Sequence, residues 1–293
     1  MSKVVLLMAC CVALSSVQRA KADSAIWVGV FEDVDGGNFM SPGMASPHVR
    51  VAFKKDGADW TAARSDLPTM VTWAVIYDGR KLGTIISKKT NEFYASGDVN
   101  IQVITTKPTD VPTVKSGAKN FSYTSVVPKT RPLVLASAPY FRDPEGWQST
   151  VLSPAERQLA IKVFRKKFPT MEHCDQPEEQ PIHMIPYSDA EILFLKAYRS
   201  KNGEAIFGMR MDDKRSNCGF FDDEKFFDYW FVLRNSGSIQ LLDSEMVPMD
   251  AADFDNSGKS EWIFQTSRGE DEDGYELFYD DFAKKVSFSW TYH

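Results

Sequence analysis

Short runs of branched and aromatic residues recur along this chain, many of them ending at a turn built on Asp-Gly or Asn-Gly. That pattern constrains the fold more than any other feature. In the first half the runs are Ile26–Phe31, Val49–Phe53, Val71–Tyr77, Leu82–Ile86 and Val99–Thr105, punctuated by Asp35-Gly36-Gly37, Asp56-Gly57 and Asp78-Gly79. In the second half Glu191–Tyr198 and Glu204–Met211 flank Asn202-Gly203, and Tyr229–Leu233 and Ser238–Leu242 flank Asn235-Ser236-Gly237. Ser260–Thr266, Tyr275–Tyr279 and Lys285–Tyr292 finish the chain. Two-residue turns of this chemistry join antiparallel strands. The last run alternates through Val286, Phe288, Trp290 and Tyr292, which predicts a strand buried on one face.

One helix interrupts the strands. Ser153-Pro154-Ala155-Glu156 reads as a capping box with proline at the first helical position. Leu159, Ala160, Val163 and Phe164 then share a face, Arg165, Lys166 and Lys167 suit the last turn, and Pro169 ends it. The predicted class is therefore α+β, mainly antiparallel β. At 293 residues, 43% of them hydrophobic, the chain has enough apolar content for one large or two modest domains. Prolines at 128, 132, 139, 144 and 154 suggest a linker over 128–152, between a β-rich domain at 23–127 and a helix-plus-sheet domain at 153–293.

The N-terminus reads as an export signal. Lys3 precedes a largely apolar stretch from Val4 to Val17, and Ala20-Lys21-Ala22 offers small residues for cleavage, giving a signal at 1–22. The apolar stretch is 14 residues, short of the ~20 that span a bilayer. A lipoprotein reading on Leu7-Met8-Ala9-Cys10 is weakened by Met8. No later segment has transmembrane length, so a periplasmic or extracellular location is expected with no integral span in the mature chain.

Removing that signal leaves 31 basic against 40 acidic side chains, a net charge of −9. From residue 201 onward 20 acidic face 10 basic residues, so the excess is concentrated there. A surface of this sign argues against nucleic acid and anionic membrane as partners and suits cations or basic ligands. Two cysteines remain, Cys174 and Cys218, and an oxidising compartment predicts that they form one disulfide. A zinc site using His173, Cys174 and His183 lacks paired ligand spacing.

One stretch carries specific chemistry. Asp253-Phe254-Asp255-Asn256-Ser257-Gly258-Lys259-Ser260-Glu261 puts side-chain oxygens at positions one, three and five, glycine at six and a carboxylate at nine. Calcium takes about six to eight oxygens at about 2.3–2.6 Å, and a tight loop of this spacing supplies most of them. Gly258 provides the positive φ that turns the chain. The competing reading is a plain hairpin loop in which Asp253 and Asp255 accept bonds from backbone amides. An EF-hand is excluded, because its twelfth position needs a bidentate carboxylate and Phe264 stands there.

With its flanks, Val247 through Phe264, this stretch resembles the calcium-loop portion of an integrin-type FG-GAP repeat. The resemblance implies calcium held by the side chains of Asp253, Asp255, Ser257 and Glu261 and the backbone carbonyl of Lys259. Ser257 departs from the acidic or amide residue usual there, which weakens the charge. The likeness covers about 20 residues, and Asp33-Val34-Asp35-Gly36-Gly37-Asn38 is a degenerate echo at best. A propeller needs several blades, so the family's architecture does not transfer. The remainder resembles uncharacterised exported bacterial proteins, and that resemblance carries no activity.

Two function classes follow. One is an exported, non-catalytic binding or adhesion module with a calcium-stabilised C-terminal sheet and a protein or carbohydrate ligand. The other is a secreted hydrolase using acidic pairs such as Asp212/Asp213 or Asp222/Asp223/Glu224. Neighbouring Arg210, Lys214, Arg215 and Lys225 favour solvated turns for those pairs. No nucleophile elbow or zinc-helix motif occurs.

Overall fold

The computed structural model describes residues 25–33, 47–90, 99–115, 130–138, 142–175, 182–212, 214, 227–268 and 272–291. They form an α+β, mainly antiparallel β structure. The predicted signal at 1–22 lies outside them, as does Tyr292.

The first seven strands build a closed sheet. They are β1 Ile26–Glu32, β2 His48–Asp56, β3 Asp59–Ala62, β4 Met70–Tyr77, β5 Arg80–Lys89, β6 Ile101–Ile104 and β7 Leu133–Ala136. Hydrogen bonding runs β1-β7-β4-β5-β6-β2 and closes because β2 also pairs with β1. The far half of β2 is covered by β3. Period-two alternation divides the side chains. Phe31, Val49, Val51, Trp73, Val75, Ile85 and Leu135 fill one cluster, while Val28, Val30, Phe53, Ile76, Val134 and Ala136 belong to another. At Gly29 a Cβ would lie 2.8 Å from the Arg50 carbonyl oxygen, so only glycine lets β1 approach β2 there.

Two four-stranded meanders follow. The first is β11 Ile192–Arg199, β12 Ala205–Met211, β13 Tyr229–Leu233 and β14 Ile239–Ser244, extended by β8 Gln148–Thr150 beside β11. The second is β15 Met246–Ala252, β16 Glu261–Arg268, β17 Glu272–Tyr279 and β18 Lys284–Thr291. β9 Met171–Cys174 and β10 Ile182–Ile185 pair as a separate two-stranded sheet, with Met171 buried in the core cluster of the first meander. Each meander has the strand count of one propeller blade, but the neighbour on the far side is the closed sheet, not a third blade.

Packing stacks these units in layers. Ile206, Trp230 and Val232 of the first meander meet Trp262, Phe264 and Phe278 of the second. The second meander's other face, with Ile263, Tyr275, Leu277, Phe288 and Trp290, packs on the closed sheet. Burial on both sides explains the unbroken apolar run Trp262-Ile263-Phe264. On β18 Phe288 and Trp290 are buried while their neighbours are exposed, as the alternation predicts.

The helix α1, Pro154–Lys167, covers the outer face of the first meander. Ser153 Oγ accepts from the Glu156 amide at 3.3 Å, and the Glu156 carboxylate accepts from the Ser153 amide at 2.7 Å. The buried face differs from the predicted one. Ala160, Ile161 and Phe164 are buried, whereas Leu159 and Val163 are only partly covered. Phe168, just past the helix, packs 5.0 Å from Phe164 and shares its core cluster with Ile161. Ser153→Ala is expected to cost about 0.5–2 kcal/mol in chemical denaturation, with an unchanged fold.

The stretch 128–152, expected to be a linker, is not a plain connector, because it supplies β7 and β8. Pro132 and Pro144 precede β7 and β8 and do not enter them. Cys174 is fully buried and disulfide-bonded. Cys218 lies outside the described residues, so its pairing with Cys174 stands as a proposal.

Candidate metal centre

The loop joining β15 to β16 is folded by its own side chains. Asp253 Oδ1 accepts from the Ser257 amide and Oδ2 from the Gly258 amide, each at 2.8 Å. Asp255 Oδ1 accepts from the same Ser257 amide at 2.8 Å. Asn256 and Gly258 take φ of 59° and 87°, which is why a short polar residue and a glycine stand there. Phe254 is fully buried and pins the loop to the core, and its amide donates to Glu261 Oε2 at 2.7 Å. Ser260 Oγ donates to Asp143 at 2.7 Å, tying the loop to the chain before β8.

These bonds converge three carboxylates. Ligand oxygens of Asp253, Asp255 and Glu261 all lie within 4.8 Å of one another. Oxygens on opposite sides of one calcium ion are about 4.6–5.2 Å apart, so the three fit a single coordination sphere. The triad can hold a metal ion. Phe264 is fully buried in β16, and strands, not helices, flank the loop.

The other two predicted ligands sit differently. Ser257 is exposed, with Oγ accepting weakly from the Lys259 amide at 3.4 Å. The Lys259 ammonium pairs with Asp281 and lies 3.8 Å from Asp280, which keeps that charge away from the triad.

Crowding shifts the acids' proton affinities. Burial raises the Glu261 pKa to about 9, with the charges of Asp255 and Asp253 adding to it. Burial also raises Asp253. Burial pushes Asp255 the same way, but bonds from Lys55 and Ser257 outweigh it and hold this carboxyl below its usual value. Lys55 is the residue that sequence reasoning missed. Its ammonium reaches from β2 to Asp255 across 200 positions of chain, leaving no local signal to find.

The hydrolase pairs do not assemble among the described residues. Asp212 is paired with Lys214 at 3.0 Å inside its own turn, and Asp213, Asp222, Asp223 and Glu224 lie outside the described residues. None of the described helices is long and apolar enough to cross a membrane. Compared with protein families, curated proteins and solved structures, the chain matches none, so the site rests on its own geometry.

Proposed function

We propose that the protein is an exported, non-catalytic binding module whose second meander is stabilised by calcium at Asp253, Asp255 and Glu261. Ser257 and the Lys259 carbonyl would complete the loop's contribution. The observation that carries this reading is the meeting of three carboxylates within one coordination sphere on a strand-loop-strand turn. A dication would offset the like-charge repulsion that helps raise the Glu261 pKa and would compete with the Lys55 ammonium for Asp255. Export rests on the N-terminal sequence, and the acidic balance supports a cation over an anionic polymer as ligand.

Metal binding must therefore displace a proton. With its pKa raised to about 9, Glu261 is expected to give up a proton when it coordinates. Calorimetry of calcium binding at pH near 7.5, in buffers of different ionisation enthalpy, should report close to one proton released per ion. Apparent affinity should climb about tenfold per pH unit until pH approaches 9. Binding heats independent of buffer would contradict a role for Glu261, and no heat at all would remove the metal.

A further inference from the structure

A cavity of about 270 Å³ opens where the closed sheet meets both meanders. Tyr77, Trp147, Tyr198 and Trp262 form much of its wall, with Arg131 and Lys196 among them. We propose that this cavity binds a small organic anion, its carboxylate or phosphate held between Lys196 and Arg131 and its body against the aromatic rings.

The charges on the wall are unevenly satisfied. Asp250 accepts from the amides of Asp78, Gly79 and Ala251 at 2.8, 3.0 and 2.8 Å. Asp143 accepts from the amides of Glu145, Gly146 and Trp147 at 3.1, 2.8 and 2.6 Å and from the Ser260 hydroxyl. Asp78 turns its carboxylate to Arg80 at 3.1 Å. The acids are thus built into turns. Arg131 is positioned by the face of Tyr77, 5.2 Å away, and by the Met249 carbonyl oxygen. Lys196 has no carboxylate partner among the described residues. Partial loss of hydration lowers its pKa, and repulsion from Arg131 adds to that. An anion here would give the Lys196 ammonium a counter-charge and meet the Arg131 guanidinium beside it, a charge-assisted contact. Trp262 is 2% exposed, and its indole N–H has no hydrogen-bond partner among the described residues.

Trp147 and Trp262 stand 5.2 Å apart edge to face, so their fluorescence reports on the cavity. Titrations of the mature chain at fixed ionic strength would use glucuronate, benzoate and inorganic phosphate, with glucose as the neutral control, in calcium and again in EDTA. At least one anion should give a saturable change with Kd on the order of 1 mM, and glucose none. A response to glucuronate or benzoate alone assigns a carboxylate, and a response to phosphate alone assigns a phosphate. Lys196→Gln should weaken binding about tenfold or more with an unchanged melting temperature. Lys162→Gln, on the exposed side of α1, should bind as the unaltered chain does. No saturation by any anion into the tens of millimolar, or full binding by Lys196→Gln, would overturn the proposal.

Discussion

Glu32→Ala is expected to destabilise the fold by about 3–5 kcal/mol, the cost of removing one partner from a buried ion pair. Glu32 ends β1 and is 7% exposed. It accepts from His48 Nε2 at 2.8 Å and from Arg50 Nε and Nη2 at 2.8 and 3.2 Å. Tyr275 of the second meander donates its hydroxyl to the same carboxylate at 2.5 Å. Arg50 also lies 3.9 Å from the ring centre of Trp290. One carboxylate therefore joins the closed sheet to the second meander, and alanine would leave a guanidinium buried without its counter-charge. Burial works to raise the Glu32 pKa, but Arg50 and His48 outweigh it and hold this carboxyl well below the usual carboxylate range. Because the folded value is depressed, its stabilisation is present above the unfolded value of about 4.3 and fades as pH falls below it. Denaturant titrations at pH 7 and pH 3 should show a larger loss at pH 7, since part of the stabilisation has already faded at pH 3. Equal losses at both would mean that the network is held by shape rather than charge.

Glu261→Gln should change sign with calcium. In EDTA at pH near 8, glutamine keeps an oxygen for the Phe254 amide and removes an ionisable group from a crowded site, so the variant should melt at or above the parent chain. The raised pKa makes this pH-dependent: the parent's metal-free stability should decline as pH rises from the ordinary carboxyl value toward about 9. In calcium the order should reverse, since the variant loses a charged ligand. A purely structural Glu261 would give the same ranking in both conditions. Melting curves for both chains, with and without the ion, decide it.

Features carried by a few adjacent residues were legible in the sequence. The capping box at Ser153, the Asn202-Gly203 hairpin and the spacing of Asp253, Asp255 and Glu261 each depend on a turn of chain. Short strands were not. β3, β7, β8, β9 and β10 have only three or four residues each, too few for a period to show. Closure of the first sheet needs β1 to pair with both β2 and β7, the latter about a hundred positions away, and no local pattern encodes that partnership. The site divides the same way. Its acids announce themselves by spacing, while Lys55 and the cavity residue Arg131 arrive through tertiary packing alone.

Calcium at the β15–β16 loop is tested most directly by the melting temperature of residues 23–293 in millimolar calcium against EDTA. At a hundredfold excess over Kd the folded state gains about 2.7 kcal/mol, a rise of about 5–10 °C for a chain of this size. Asp253→Ala and Glu261→Ala should each abolish the rise. Equal melting temperatures in calcium and EDTA, with no calorimetric heat of binding, would leave a hairpin loop held only by its own amide hydrogen bonds.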